Sequence, residues 1–271
     1  EPCRPTTRFG TNRATTGRSS SKTPNIQQIP ASKKRKSGLR CVRPFGRRCR
    51  SLFTPQPGYV LVGSDLCGIE VRLLGHLLKP YDGGDFGRRV LRDGDLHQEN
   101  ADRLGIPRDT AKTVLYGSMY GQGIAALAAD LQISQEDGRV VQEGFTYGIP
   151  GFDALKKDLE LEWKRSKRIT LCDGRRIQVP KYHQLLNYAI QASAAVLMKR
   201  WALDAEHALA DTSYRMLAVV HDEIQGECRP DDVEIARDAL TRTATEAGEK
   251  LGFRIEIDAD VKTGKSWAET H

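Results

Sequence analysis

The sequence predicts an α+β fold in which an antiparallel sheet is interrupted by a helical insertion. Three features of its 271 residues carry that expectation: short β-prone runs bounded by turn residues, long stretches of helical apolar spacing between them, and separate hairpin signals. Residues 59–64 follow the turn pair Pro57-Gly58 and read as a buried strand, which leaves Asp65 at the strand's end. Residues 69–78 repeat apolar side chains at helical spacing. Residues 96–168 read as helices, broken at 121–123 by glycine and at 148–151 by glycines around Pro150. Residues 169–179 alternate about Asp173-Gly174, a pair suited to a hairpin turn. A long helix is expected over residues 182–210. Strands at 215–220 and 224–228 join through His221-Asp222-Glu223, a helix follows over 230–251, and residues 253–261 close the chain as a strand.

Composition narrows the class of function. No apolar run approaches the ~18–20 residues of a membrane span, and the balance of apolar and charged residues excludes a fully disordered chain. Six cysteines show no CxxC spacing and read as scattered reduced thiols of a cytoplasmic protein. The net charge of +7 is unevenly spread. Residues 1–58 hold 14 Lys and Arg against one acid, whereas the remainder is net negative. Such asymmetry points to a polyanion meeting the N-terminal part, although a basic run is often only a solvated loop. The first residue is Glu1, so the start reads as a boundary within a larger protein.

Three sets of residues carry chemistry. Asp65 at a strand end and Asp222 in a hairpin turn would meet if their strands were neighbours. Paired carboxylates repel one another, and hard oxygen ligands without a His or Cys cluster suit Mg²⁺ or Mn²⁺. Either acid alone is more often a cap or a solvated group. Arg108, Lys112, Tyr116 and Tyr120 recur every four residues, so one helix face carries two cations and then two aromatics. Cations suit a triphosphate and aromatic planes suit a sugar and a base; snorkelling over a core edge is the plainer alternative. Gly117 and Gly121 in that stretch suggest a close approach by another group. His183, Asn187 and Gln191 form a polar stripe at the same spacing, suited either to buried hydrogen bonds or to the minor groove, where every base pair offers similar acceptors.

Taken together, these residues resemble family A (polymerase I-like) DNA polymerases. Asp65-Leu-Cys-Gly-Ile-Glu70-Val-Arg72 is similar to motif A, Arg108-x3-Lys112-x3-Tyr116-x3-Tyr120-Gly121 to motif B, and Val220-His221-Asp222-Glu223 to motif C. Thr16-Gly17-Arg18 with Pro24-Asn25-Ile26-Gln27 resembles the primer-side motif that precedes motif A, and Gly94-Asp95-Leu96-His97 the turn before the fingers helix. The short run from His97 to Arg108, Tyr at 116 and the ending from Trp267 to His271 resemble the phage replicative branch. The motifs occur in the family's order over about residues 6–271.

The resemblance implies an antiparallel-sheet polymerase palm (1–95 and 180–271) with a helical fingers insertion (96–179). It implies template-directed DNA synthesis for replication, with transfer from a dNTP to the primer 3′-hydroxyl. Asp65 and Asp222, with the Leu66 carbonyl, would hold two Mg²⁺, Mn²⁺ being a possible substitute, and Glu223 would assist nearby. Arg108, Lys112 and His97 would grip the triphosphate, with Lys112 protonating the leaving group. Glu70 packing with Tyr116 would exclude a ribose 2′-hydroxyl, and Tyr116 would ease entry of dideoxynucleotides. Tyr120 would stack by the templating base, while Arg18, Asn25, Gln27, His183, Asn187, Gln191 and His221 would contact primer-template DNA.

Only 17 residues precede Arg18, so the resemblance also implies that a thumb and any proofreading exonuclease lie outside this chain, on a separate polypeptide or an upstream region. The basic loop at 33–43 would either bind DNA or be a solvated insertion. Two other readings are a catalytically incomplete DNA-binding subunit of a split polymerase and a single-subunit RNA polymerase. The presence of Asp65, Asp222, Lys112 and Arg108 argues against the first, and Glu70, Tyr116 and Glu223 against the second. The expected compartment is the cytoplasm, that of the host if phage-encoded.

Overall fold

A computed structural model describes residues 16–18, 26–29, 46–92 and 95–271. Asn25, Gly94 and the basic loop at 33–43 lie outside the described residues. In chain order the elements are α1 (Gly46–Arg50), β1 (Val60–Leu66), α2 (Ile69–Asp82), α3 (Asp85–Leu91), α4 (Leu96–Leu104), α5 (Arg108–Met119), α6 (Ile124–Leu131), α7 (Gln135–Tyr147) and α8 (Phe152–Ser166). They continue with β2 (Arg168–Thr170), β3 (Arg176–Gln178), α9 (Leu185–Ala208), β4 (Arg215–Val220), β5 (Glu223–Cys228), α10 (Val233–Lys250) and β6 (Ala259–Gly264). Three-residue 3-10 turns sit at Ile26–Gln28 and before α9 and α10, at Tyr182–Gln184 and Pro230–Asp232. None of the helices is long and apolar enough to cross a membrane, among the described residues.

The chain packs as two compact units, one of Glu1–Ile69, Ala195–Leu251 and Ile257–His271, the other of Glu70–Ala194 and Gly252–Glu256. These packing bounds differ from the motif-based division at 95 and 179.

The first unit is built on an antiparallel sheet of order β4-β5-β1-β6. Directly opposed residues of such a sheet point to the same side, so the register sorts the side chains. Val62, Ser64 and Leu66 share a face with Ile224, Cys228, Ala259 and Val261, and it is mostly apolar. Helix α10 packs against β1 and β6 and buries Ala236, Ala239, Leu240, Ala244 and Ala247. Trp201 of α9, fully buried, donates its indole N–H to the Leu240 carbonyl at 2.9 Å and ties the two helices together. The opposite face carries Leu61, Gly63 and Asp65 of β1, with Glu223, Gln225 and Glu227 of β5 and Asp260 and Lys262 of β6 beside them. A smaller cluster of Ile26, Leu61, Val220 and Trp267 anchors the upstream turn.

In the second unit α5 packs against α4, α6 and α7 and buries Ala111, Val114, Leu115 and Met119, while Phe86, Phe145 and Phe152 are also buried. The hairpin expected about Asp173-Gly174 forms as β2 and β3. The strand expected at 253–261 forms only from Ala259 onward. Residues of the preceding segment give their backbone groups to side chains of α2 instead: the Arg254 amide donates to His76 Nδ1 at 3.1 Å, Arg72 donates to the Glu256 carbonyl at 2.6 Å, and Lys79 to the Arg254 carbonyl at 3.2 Å. The alternation of Phe253 and Ile255 serves burial in the second unit, not a ladder.

Candidate active site

The carboxylates of the first unit meet because β1 and β5 are neighbours. Asp65, the penultimate residue of β1, lies directly across from Glu223, and the Leu66 amide donates to the Asp222 carbonyl at 3.0 Å. Asp222 itself occupies the two-residue turn between β4 and β5, whose first residue, His221, has φ 56°. A non-glycine residue held there is strained, and such strain persists where the surroundings over-determine it. The His221 Nε2–H donates to the Gln27 carbonyl at 2.9 Å, and Gln27 Nε2 reaches the Val219 carbonyl at 3.5 Å, which fastens the turn to the upstream segment. Arg18 belongs to this unit and is half-buried.

Electrostatics single out Asp65. Burial, then the neighbouring Asp222 and Glu223, push its carboxyl up to about 7, against the pull of His271 and Lys262. Glu223 is only 2% exposed, yet its carboxyl is held below the usual range, because hydrogen bonds from His271, Trp267 and Gln225 outweigh the burial that would raise it. Trp267 Nε1 donates to Oε1 at 2.9 Å, His271 Nδ1 to Oε2 at 3.1 Å, and Gln225 Nε2 to Oε1. Among the described residues no three or more His, Cys, Asp or Glu side chains gather closely enough to hold a metal by themselves. Two carboxylates with no third side chain fit a cation that keeps its water and takes substrate phosphate oxygens, which is the habit of Mg²⁺.

The second unit carries the stripe expected every four residues. Arg108, Lys112 and Tyr116 lie on α5, and Tyr120 is its C-terminal cap. Lys112 is exposed, with Nζ 5.9 Å from the Tyr116 ring centre, and the Tyr116 and Tyr120 rings are 6.1 Å apart. His97, on α4, lies 6.2 Å from the Tyr116 ring. Its Nδ1 is buried without a hydrogen bond, and burial followed by Lys112 pushes the imidazole below its ordinary value. Asp95 caps α4, accepting the His97 and Gln98 amides on Oδ1 at 3.0 and 3.2 Å, while its Oδ2 accepts the Arg108 Nε–H. That pairing lowers the Asp95 carboxyl and raises the Arg108 guanidinium. Glu70 accepts the Tyr120 hydroxyl at 2.6 Å, and the Tyr116 ring lies beside that of Tyr120.

The close approach suggested by the glycines comes from the protein's own chain. A methyl group on Gly121, where φ is +72°, would stand 1.8 Å from the His183 carbonyl oxygen, and one on Gly117 would meet the Gln122 amide at 2.4 Å. His183 is exposed in the 3-10 turn before α9, whereas Asn187 and Gln191 are half-buried on the helix. The Asn187 Oδ1 is buried and accepts no hydrogen bond.

Arg50 and Trp267 were not singled out as site residues by the sequence, yet they border the carboxylates. Their meeting is a long-range event without a local signal. The only hint was Trp267 and His271 standing in the chain's ending.

Comparison with known proteins gives a consistent result. The profile of DNA polymerase family A matches residues 3–269. The DNA-directed DNA polymerase of Escherichia phage T7 is 32% identical over 96% of this chain and 40% of the phage protein. The phage T3 DNA-directed DNA polymerase is 30% identical with the same coverage, and the thermostable DNA polymerase I of Thermus aquaticus is 30% identical over 96% of this chain and 32% of its own length. The chain thus spans about two fifths of the phage relatives. Among solved structures, the POL domain of Pol1 from M. smegmatis, in complex with DNA primer-template and dNTP, superposes with a TM-score of 0.82 at 26% identity, covering 95% of this chain and 47% of that one.

Proposed function

The chain belongs to DNA polymerase family A, and from that premise we propose that it performs template-directed DNA synthesis in replication, adding deoxynucleotides to a primer 3′-end. The observation that carries the proposal is the meeting of Asp65, near the end of β1, with Asp222 in the turn that leads into the neighbouring strand β5, where burial and then the adjacent acids hold the Asp65 carboxyl up to about 7. In this reading the palm comprises 1–95 and 180–271 and the fingers 96–179.

Asp65 and Asp222, with the Leu66 carbonyl, hold two Mg²⁺, for which Mn²⁺ can substitute. When bound, the ions supply Lewis acidity at the primer 3′-hydroxyl and neutralise charge on the triphosphate. The chain's own residues do the rest. Arg108, Lys112 and His97 bind the triphosphate, and the Arg108 fork is held for it by Asp95 at Nε, with Asp109 Oδ1 3.9 Å from Nη1. As the 3′-oxygen bonds to the α-phosphorus and the α–β bridge breaks, Lys112 gives a proton to the departing pyrophosphate. Glu70 and Tyr116 line the sugar position and exclude a 2′-hydroxyl, and Tyr116 eases entry of dideoxynucleotides. Tyr120 stacks by the templating base. Arg18, Asn25, Gln27, His183, Asn187, Gln191 and His221 contact primer-template DNA, and Glu223 supports the carboxylate pair from beside it.

Partners are primer-template DNA and dNTPs, with a separate polypeptide or upstream region adding grip on the duplex. Action on DNA and free thiols at Cys49, Cys172 and Cys228 fit the cytoplasm. The test is single-nucleotide addition to a labelled primer-template in Mg²⁺. Addition of only the complementary deoxynucleotide supports the reading. Preference for ribonucleotides would make the chain an RNA polymerase, and duplex binding without any addition would make it a binding subunit.

A further inference from the structure

Glu223 poses a problem of its own. A glutamate at 2% exposure, directly across from Asp65 and next to Asp222, adds negative charge where two acids already repel. An apolar side chain would pack there at less cost, so a buried charge retained in such a place calls for a role. Both of its oxygens are occupied: Oε1 by the Trp267 indole N–H and the Gln225 amide, Oε2 by the His271 imidazole.

The indole is in turn fixed on every side. Its face is covered by the Arg50 guanidinium, 4.4 Å from the ring centre and itself only 6% exposed. The Phe53 ring meets it edge-on at 5.4 Å, and the Trp267 amide donates to the Phe53 carbonyl at 3.0 Å. Arg50 is tethered by a hydrogen bond to the Ile29 carbonyl at 3.3 Å. An indole clamped in this way cannot turn its N–H away, and the carboxylate that accepts it cannot rotate towards a neighbouring cation.

We propose that Trp267, backed by Arg50, is a positioning residue of the polymerase reaction: its indole N–H fixes the Glu223 carboxylate so that this acid stays out of the metal-ligand set of Asp65 and Asp222. The inference rests on the polymerase reading for its consequence in turnover, but not for its consequence in metal binding.

Trp267→Phe keeps an aromatic ring beside Arg50 and Phe53 and removes the N–H together with part of the bicycle's volume. Freed, Glu223 can join the cation, so Mn²⁺, followed by its electron paramagnetic resonance signal, should bind about threefold tighter. The extra ligand should slow turnover, with kcat about tenfold lower and the dNTP KM within about twofold of the parent. Tighter metal binding with slower turnover is not what a merely loosened fold would give. In a Glu223→Gln background the same Trp267→Phe change should alter neither quantity. Weaker or unchanged Mn²⁺ affinity, or effects of full size in the Glu223→Gln background, would overturn the proposal. If the parent fails to extend a primer, the polymerase reading falls while the Mn²⁺ comparison still decides this one. If Trp267→Phe does not fold, indole N–H resonances decide. Of the three tryptophans, Trp163 and Trp201 donate to backbone carbonyls, so Glu223→Gln should move the third resonance alone, and a third resonance that stays put would refute the clamp.

Discussion

Replacing Asp65 by Asn should stabilise the metal-free chain at alkaline pH, which is the reverse of what loss of a buried polar contact would do. The folded protein raises this carboxyl from 3.8 to about 7, mainly by burial and then through Asp222 and Glu223. A raised acid binds its proton more tightly in the folded than in the unfolded state, so stability falls as pH rises from about 4 to about 7 and the loss is complete above that. The difference corresponds to about 4 kcal/mol, which partial exposure to solvent reduces to roughly 2 kcal/mol. An amide carries no such charge. In EDTA at pH 8, Asp65→Asn should therefore raise the thermal midpoint by about 5 °C. The gain should shrink to about half near pH 5.5, where the parent's Asp65 is already protonated. Mg²⁺ should raise the parent's midpoint at pH 8, since it binds the folded carboxylates, and should leave the variant's unchanged. Thermal unfolding followed by circular dichroism reads all of these. A variant less stable than the parent at pH 8, or an equal gain at both pH values, would refute the reasoning.

Other perturbations follow from the same geometry. Gly121→Ala forces a methyl against the His183 carbonyl and a side chain into a left-handed conformation, so urea unfolding should show a loss of about 3–5 kcal/mol; a loss under 1 kcal/mol would show that the turn before α9 yields. Asp95→Asn keeps the cap of α4 but weakens the hold on Arg108, so the dNTP KM should rise about fivefold with kcat nearly unchanged and the melting temperature steady. An unchanged KM would mean that Arg108 needs no orientation by Asp95.

Much of this was legible in the sequence, and the remainder was hidden for identifiable reasons. The run at 59–64 declared β1, and the four-residue spacing from Arg108 to Tyr120 declared one face of α5, because both are local patterns. Asp65 and Asp222 could be paired only by supposing that their strands were neighbours, which the β1–β5 register bears out. Residues 253–258 misled because alternation reports burial and is silent on what covers it. The Trp267–Glu223 hydrogen bond spans 44 positions, and the stacking of Arg50 on Trp267 spans more, so no local pattern announces either. The hydrogen bond from Tyr120 to Glu70 was not foreseen, since a four-residue step puts Tyr116 and Tyr120 on the same face and spacing alone does not say which hydroxyl reaches an acid 50 positions away.

The most direct test of the account is primer extension by the parent chain and by Asp222→Ala, with Mg²⁺ and dNTPs on one primer-template. The account predicts extension by the parent and a loss of at least about 10³-fold in the variant, equivalent to roughly 4 kcal/mol of barrier. Comparable rates for the two chains would contradict it, because the reaction would then proceed without the carboxylate that the β4–β5 turn holds beside Asp65.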